Sequence, residues 1–260
     1  MIEARGVTYR ADGRALIDGV SAAFAPGVLH LIVGPNGAGK STLVKLLSRF
    51  LRPDAGQVLY EGVDVARATE RDLARRRAVL SQAVEVAFPL RVREVVMMGR
   101  YPHFGGRPGP ADERICDEAM ELFEVSAFAD RPFPTLSGGE KQRVNFARVL
   151  AQVWRPLASG VRCLFLDEPL TFLDIRHQLD FMRKVRTIAS ASDAVVVGVV
   201  HDLAVAARFA ENLVLLRDGR VLAAGSASEV LTRENIRVGF QVEPVWLSPT
   251  AGGTPRLAFE

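Results

Sequence analysis

An apolar run from Leu29 to Val33 leads straight into Gly34-Pro35-Asn36-Gly37-Ala38-Gly39-Lys40-Ser41-Thr42, and a helical pattern continues from Thr42 to Phe50. No other feature constrains the fold as tightly. A strand feeding a glycine-rich loop that opens a helix has few architectures available to it. The nonapeptide fills the pattern G-x-x-x-x-G-K-[ST], whose glycines let consecutive backbone N–H groups curl around phosphate oxygens at a helix N-terminus. Lys40 adds a point charge for the outer phosphates, and the Ser41 hydroxyl is of the type that ligates Mg²⁺. A glycine-rich turn that bound nothing would have no need of Lys-Ser-Thr in this place.

The remainder of the chain reads as strands alternating with helices, the signature of a parallel sheet covered on both faces. Cys163 to Leu166 and Ala194 to Val200 are continuous apolar runs, as expected of central strands buried on both sides. Residues 2 to 33 alternate apolar and polar positions around turns at Asp12-Gly13 and Pro26-Gly27, which predicts an antiparallel β region. A further strand pair is expected at Gln57 to Tyr60 and near Val63, after the turn Pro53 to Gly56. Between Gln82 and Ser137 the helical period dominates, at Val92 to Met98 and Ala111 to Phe123, with a Gly/Pro-rich loop from Tyr101 to Pro110. The predicted fold is therefore α/β, a phosphate-loop core with an N-terminal antiparallel β region and an inserted helical subdomain at about 84–152. Residues 1–240 form one domain in this reading. After Gly225 one helix is expected near Ser228 to Thr232, and 241–260 is a tail too short for a regulatory domain.

Composition narrows the function classes. The chain of 260 residues is 48% hydrophobic, ample for one full core. With 33 basic against 30 acidic residues the net charge is only +3, so there is no broad field for nucleic acid. Arg75-Arg76-Arg77 is the sole basic run and reads as the solvated end of a helix. Cys116 and Cys163 have no metal-like spacing and suit a reducing compartment. The start Met1 to Arg5 lacks an apolar leader, and the longest apolar stretch is far below the roughly 18 residues of a spanning helix.

Further motifs follow the phosphate loop in a fixed order. Gln82 follows the strand-like Ala78 to Ser81. Leu136-Ser137-Gly138-Gly139-Glu140-Lys141-Gln142 opens a helix, and its backbone donors and hydroxyl make a second anion-binding end roughly 100 residues from the first. Leu164-Phe165-Leu166-Asp167-Glu168-Pro169 puts two carboxylates at the C-terminal end of a strand, where ligands bind in open α/β sheets. Leu173-Asp174 and His201 complete the set.

In this order the motifs resemble those of the ATP-binding cassette ATPases, over residues 2 to about 240. The resemblance implies ATP and Mg²⁺ as cofactors and a role for each position. The phosphate loop, Gly34 to Thr42, holds the phosphates; Ser41, Asp167 and Gln82 serve the metal; Glu168 polarises the attacking water, with His201 and Gln82 completing the catalytic set. An aromatic at Tyr9 is similar to the ring that stacks on adenine; its bland reading is a sheet-edge tyrosine. Ser137, Gly138 and Gly139 serve the nucleotide of a second copy, packed head to tail, with Leu173-Asp174 crossing that interface. Here Leu170-Thr171-Phe172 replaces the commoner Thr-Ser-Ala, and the bulkier Phe172 implies altered packing. His30, His103 and His177 fit no motif and read as structural.

Cargo is signalled by the segment after Gln82. Gly99-Arg100-Tyr101-Pro102-His103 resembles ATPases of importers for iron complexes, haem and cobalamin. Leu73 to Gln82, and Ala147 to Trp154 with the loop Arg155 to Val161, resemble the haem branch. The implied partners are a second copy, a dimeric transmembrane permease and, indirectly, a periplasmic or surface substrate-binding protein, at the cytoplasmic face of the inner membrane. Phe88, Leu90 and Val92 beside Arg91, Arg93 and Arg100 are the expected permease contact, an apolar patch with a polar rim. A ferric siderophore or cobalamin remains open as cargo. A non-transport role in DNA repair or translation would call for a coiled-coil insertion or tandem cassettes, and the chain has neither.

Overall fold

The hairpin that opens the chain joins β1 (Ile2–Ala11) to β2 (Arg14–Phe24) in antiparallel register. Asp12 and Gly13 turn it, both at positive φ (50° and 75°), the geometry a tight hairpin demands of Asp-Gly. The computed structural model describes residues 1–81, 89–247 and 256–259. The expected antiparallel region ends at Phe24. The next strand, β3 (Leu29–Val33), leaves that sheet and enters a second one, because its wholly buried sequence needs cover on both faces. After α1 (Lys40–Leu47), strands β4 (Ala55–Tyr60) and β5 (Val63–Asp64) return to the first sheet, whose order is β2-β1-β4-β5.

Helix α2 (Glu70–Arg76) leads into β6 (Arg77–Leu80). Helix α3 (Val92–Met97), α4 (Pro110–Leu122) and α5 (Gly138–Gln152) follow as a helical layer. The loop expected from Tyr101 to Pro110 is shorter, since a 3₁₀ turn carries Met98–His103 through Pro102. Then come β7 (Arg162–Asp167), α6 (Ile175–Ala189), β8 (Ala194–Val199), α7 (Leu203–Phe209), β9 (Asn212–Arg217) and β10 (Arg220–Gly225). The second sheet has the order β10-β9-β3-β8-β7-β6. Its neighbours pair in parallel from β9 to β6, and only β10 runs antiparallel. With β3 between β9 and β8, the phosphate loop leaves the middle of the sheet beside the C-terminal ends of β7 and β8.

Beyond Gly225 the single expected helix is two, α8 (Ala227–Val230) and α9 (Arg233–Phe240). Thr232 restarts the second, its hydroxyl accepting from Asn235 N at 3.2 Å. Strands β11 (Pro244–Leu247) and β12 (Arg256–Phe259) pair antiparallel within the predicted tail. Among the described residues no helix is long and apolar enough to cross a membrane.

The basic run is not a solvated helix end. Arg75 Nε donates to Pro102 O at 2.9 Å, and Arg76 donates to Ser159 O at 3.2 Å. Arg77 is buried, 3.3 Å from Glu70 and with its guanidinium over the Phe50 ring. These arginines link α2 and the start of β6 to distant loops, which a helical-wheel reading of three neighbours could not anticipate.

Candidate functional site

Gly34 and Gly39 mark the two ends of the phosphate loop, and each is where only glycine fits. A β-carbon at Gly34 (φ 151°) would lie 2.2 Å from Leu216 O, and one at Gly39 (φ 98°) 2.5 Å from Leu16 O. Gly39 is also the N-cap of α1, with no side chain capping the helix. The first-turn N–H groups of α1 are thus left for a ligand. Gly219 N donates to Ala38 O at 3.1 Å and ties the loop to the turn between β9 and β10.

Lys40 is buried and curls back over the loop, with Nζ donating to Gly34 O and Pro35 O at 2.8 Å each. Burial holds its ammonium below the ordinary lysine range, against the opposing pull of Glu168 and Asp167. Ser41 Oγ donates to Asp167 Oδ1 at 2.9 Å, joining α1 to the end of β7. Burial raises the Asp167 carboxyl above its usual value; the Ser41 hydrogen bond opposes this and the Glu168 charge adds to it. His201 Nε2 stands 2.7 Å from Glu168 Oε1. Glu168 adopts φ 51°, the left-handed region that costs a non-glycine residue roughly 1–3 kcal/mol and clusters at functional positions.

Lys40, Ser41, Glu168 and His201 share one open pocket of about 770 Å³, lined also by Asn36, Gly37, Gly39 and Thr42, and Asp167 reaches it through its hydrogen bond with Ser41. Leu16 of β2 lines it as well, a residue the sequence did not single out. Its only signal is its place in an alternating strand whose neighbour Ile17 is core. A second pocket, of about 490 Å³, lies between α2 and the 157–159 loop, away from these groups.

Residues 17–171 match the ABC transporter family. The chain belongs to it. Over 94% of its length it is 45% identical to the hemin import ATP-binding protein HmuV of Bradyrhizobium diazoefficiens, covering 90% of that protein. Over 98% of its length it is 45% identical to the protein of that name from Gloeobacter violaceus, covering 92% of it. A bacterial ABC transporter cassette solved as a dimer superposes with a TM-score of 0.75 at 26% identity, over 87% of this chain and 99% of that one.

Among the described residues, Tyr9, Ser137 to Gly139 and Leu173-Asp174 are not part of the pocket lining. Ser137 caps α5 in a closed box: its hydroxyl accepts from Glu140 N at 3.3 Å, and Glu140 Oε2 accepts from Ser137 N at 2.7 Å and from Ser137 Oγ at 2.8 Å. Phe172 lies against this helix end, since a β-carbon at Gly138 would meet its Cβ at 3.5 Å. Tyr9 is half-buried on β1, opposite Ile17, and packs on the core of the first sheet. Gln82 and Phe88 lie outside the described residues.

Two residues of the expected permease contact, Val92 and Arg100, are internal. Val92 is fully buried, and Arg100 is buried with Nε 3.0 Å from Asp112 Oδ1 and Nη1 donating to Ala151 O at 2.7 Å. A guanidinium removed from water needs such partners, so Arg100 is a core ion pair and not a rim residue. Arg91, Arg93 and Tyr101 are exposed. His103 Nε2 donates to Gln152 O at 2.7 Å, and His30 Nε2 donates to Ala25 O at 2.9 Å, so each ring is tied to backbone.

Proposed function

We propose that this ABC ATPase hydrolyses ATP to drive haem import through a separate permease. The observation that carries the engine is the convergence of Lys40, Ser41, Glu168 and His201 on one pocket, with Asp167 bonded to Ser41 and with His201 Nε2 and Glu168 Oε1 at 2.7 Å. The cargo rests on relatives 45% identical over nearly the whole chain that are named for hemin import.

In this reading the phosphate loop, Gly34 to Thr42, and Lys40 hold the nucleotide phosphates, and Tyr9 stacks on the base. Glu168 orients and deprotonates the attacking water, while His201 fixes the Glu168 carboxylate and contacts the outer phosphate. Ser41 Oγ and Asp167 Oδ1 form an adjacent pair of oxygen donors whose hardness suits Mg²⁺. Gln82 joins them. The cation supplies charge neutralisation for the outer phosphates. The raised Asp167 carboxyl fits a group whose partner charge arrives with the substrate. Ser137 to Gly139 complete the site of a second copy, head to tail. The core of residues 1–240 carries a helical subdomain at about 84–152 that faces the permease, with Tyr101 at the contact and 241–260 as a tail. The chain works at the cytoplasmic face of the inner membrane, and a periplasmic or surface binding protein delivers the haem.

Reconstitution with a haem permease tests both halves. Glu168→Gln should keep ATP affinity, lose turnover by about 10²–10⁴-fold and accumulate as an ATP-bound dimer. Haem-loaded binding protein should stimulate the wild-type ATPase. Stimulation by siderophore or cobalamin carriers alone would overturn the cargo and leave the engine standing.

A further inference from the structure

The segment that follows Glu168 is strapped to two helices at once. Gln142, in the second turn of α5, is buried, and its Nε2 donates at 3.0 Å to Pro169 O, the carbonyl one residue beyond Glu168. Gln178 of α6 donates to Leu170 O at 3.3 Å and to Leu173 O at 3.0 Å. Thr171 Oγ closes back on Glu168 O at 3.1 Å. Between these ties Glu168 and Phe172 both hold left-handed backbone, at φ 51° and 67°. Such conformations persist only where the surroundings over-determine them. Phe172 in turn lies on the start of α5, its carbonyl oxygen 3.2 Å from where a β-carbon of Gly139 would be.

The geometry points to Gln142 as a positioning residue for Glu168. It links the helix end Ser137 to Gly139, which serves the partner copy's nucleotide, to the carboxylate that serves this copy's own. The bond is out of water on both sides, so no solvent molecule replaces it when α5 shifts. A phosphate drawn to Ser137 and Gly139 moves α5, and the movement reaches the peptide after Glu168 through Gln142 and Phe172. One site then aligns the base of the other. The inference rests on Glu168 as the base and on the head-to-tail dimer.

The test is steady-state ATPase of the full chain with two substitutions. Gln142→Leu keeps the volume and removes the donor. Its kcat should fall on the order of 10–100-fold, the scale of a misplaced catalytic group, with KM for ATP unchanged and the thermal midpoint lowered by the unpaired Pro169 carbonyl. Gln142→Glu sets a carboxylate against the Pro169 carbonyl at neutral pH. On acidification the introduced carboxyl protonates and donates to that carbonyl, so kcat relative to wild type should rise as pH falls. A packing role alone would lower the thermal midpoint while leaving the folded protein's kcat at the wild-type value and that ratio flat. Wild-type kcat in Gln142→Leu, with Glu168→Gln still inactive, would overturn the positioning role and spare the base. Full turnover in Glu168→Gln would remove both. Should Gln142→Leu not fold, the pH series decides alone, and a flat ratio overturns the inference.

Discussion

Helices α1 and α5 both begin at glycine-rich motifs, yet their first turns are built in opposite ways. Helix α1 starts from a left-handed glycine with no side-chain cap and with a buried lysine folded over it. Helix α5 starts from Ser137, whose box with Glu140 satisfies the N–H groups of both residues from within the chain. The first end presents free donors and a cation to an anion. The second sets an acidic side chain at its own N-terminus and is covered by Phe172. The contrast explains why Lys40, Glu168 and His201 share a pocket without Ser137. On the proposed reading, one end binds by itself and the other is completed by a ligand held on a second copy.

The sharpest way to break this contrast is to disable each end separately. Lys40→Ala should weaken ATP binding by roughly 10–100-fold, because it removes charge-assisted hydrogen bonds, and should abolish hydrolysis. Ser137→Arg should spare binding to the isolated chain and also abolish hydrolysis. Mixing the two inactive variants should restore partial ATPase, since each mixed dimer keeps one intact composite site. Equal losses of nucleotide affinity in both variants, measured by titration, would erase the distinction between the ends.

A smaller effect separates the caps. Ser137→Ala removes the α5 box and should cost about 1 kcal/mol in urea unfolding. A side chain at Gly39 would instead collide with Leu16 O, so Gly39→Ala loses the loop itself and with it nucleotide binding. An unchanged urea midpoint for Ser137→Ala would mean that the box contributes nothing to the α5 end.

The smallest effect is the pH signature of Glu140. Hydrogen bonds from Ser137, the backbone N–H first, hold its carboxyl below the ordinary glutamate value. A lowered folded-state value stabilises above the unfolded pKa, about 4.3, and the gain is lost as pH falls through the folded value. Glu140→Gln should therefore narrow its stability deficit against wild type in acid. Parallel urea midpoints for the two proteins from pH 7 to pH 3 would remove Glu140 from the cap.

Much of the candidate site was legible because its chemistry is local. Gly34 to Thr42 announce a left-handed backbone and a helix start within nine residues, and Asp167 and Glu168 announce a strand end. Arg100 was misread for the opposite reason. Its charge beside apolar neighbours suggests a rim, and only the fold brings Asp112 and Ala151 O around it. The second C-terminal helix was missed because Thr232 reads as a stop until its hydroxyl is seen capping Asn235.

By itself the sequence determined most of the core elements, the glycine-dependent loop and the family, since these follow from backbone preference, periodicity and short-range motif spacing. Only the tertiary structure decided which charges are paired and which groups act together. Ser41 and Asp167 are 126 residues apart, and Gln142 reaches Pro169 across 27. Hydrogen bonds of this kind act over about 3 Å, and no periodicity along the chain encodes which distant peptide will arrive within that reach.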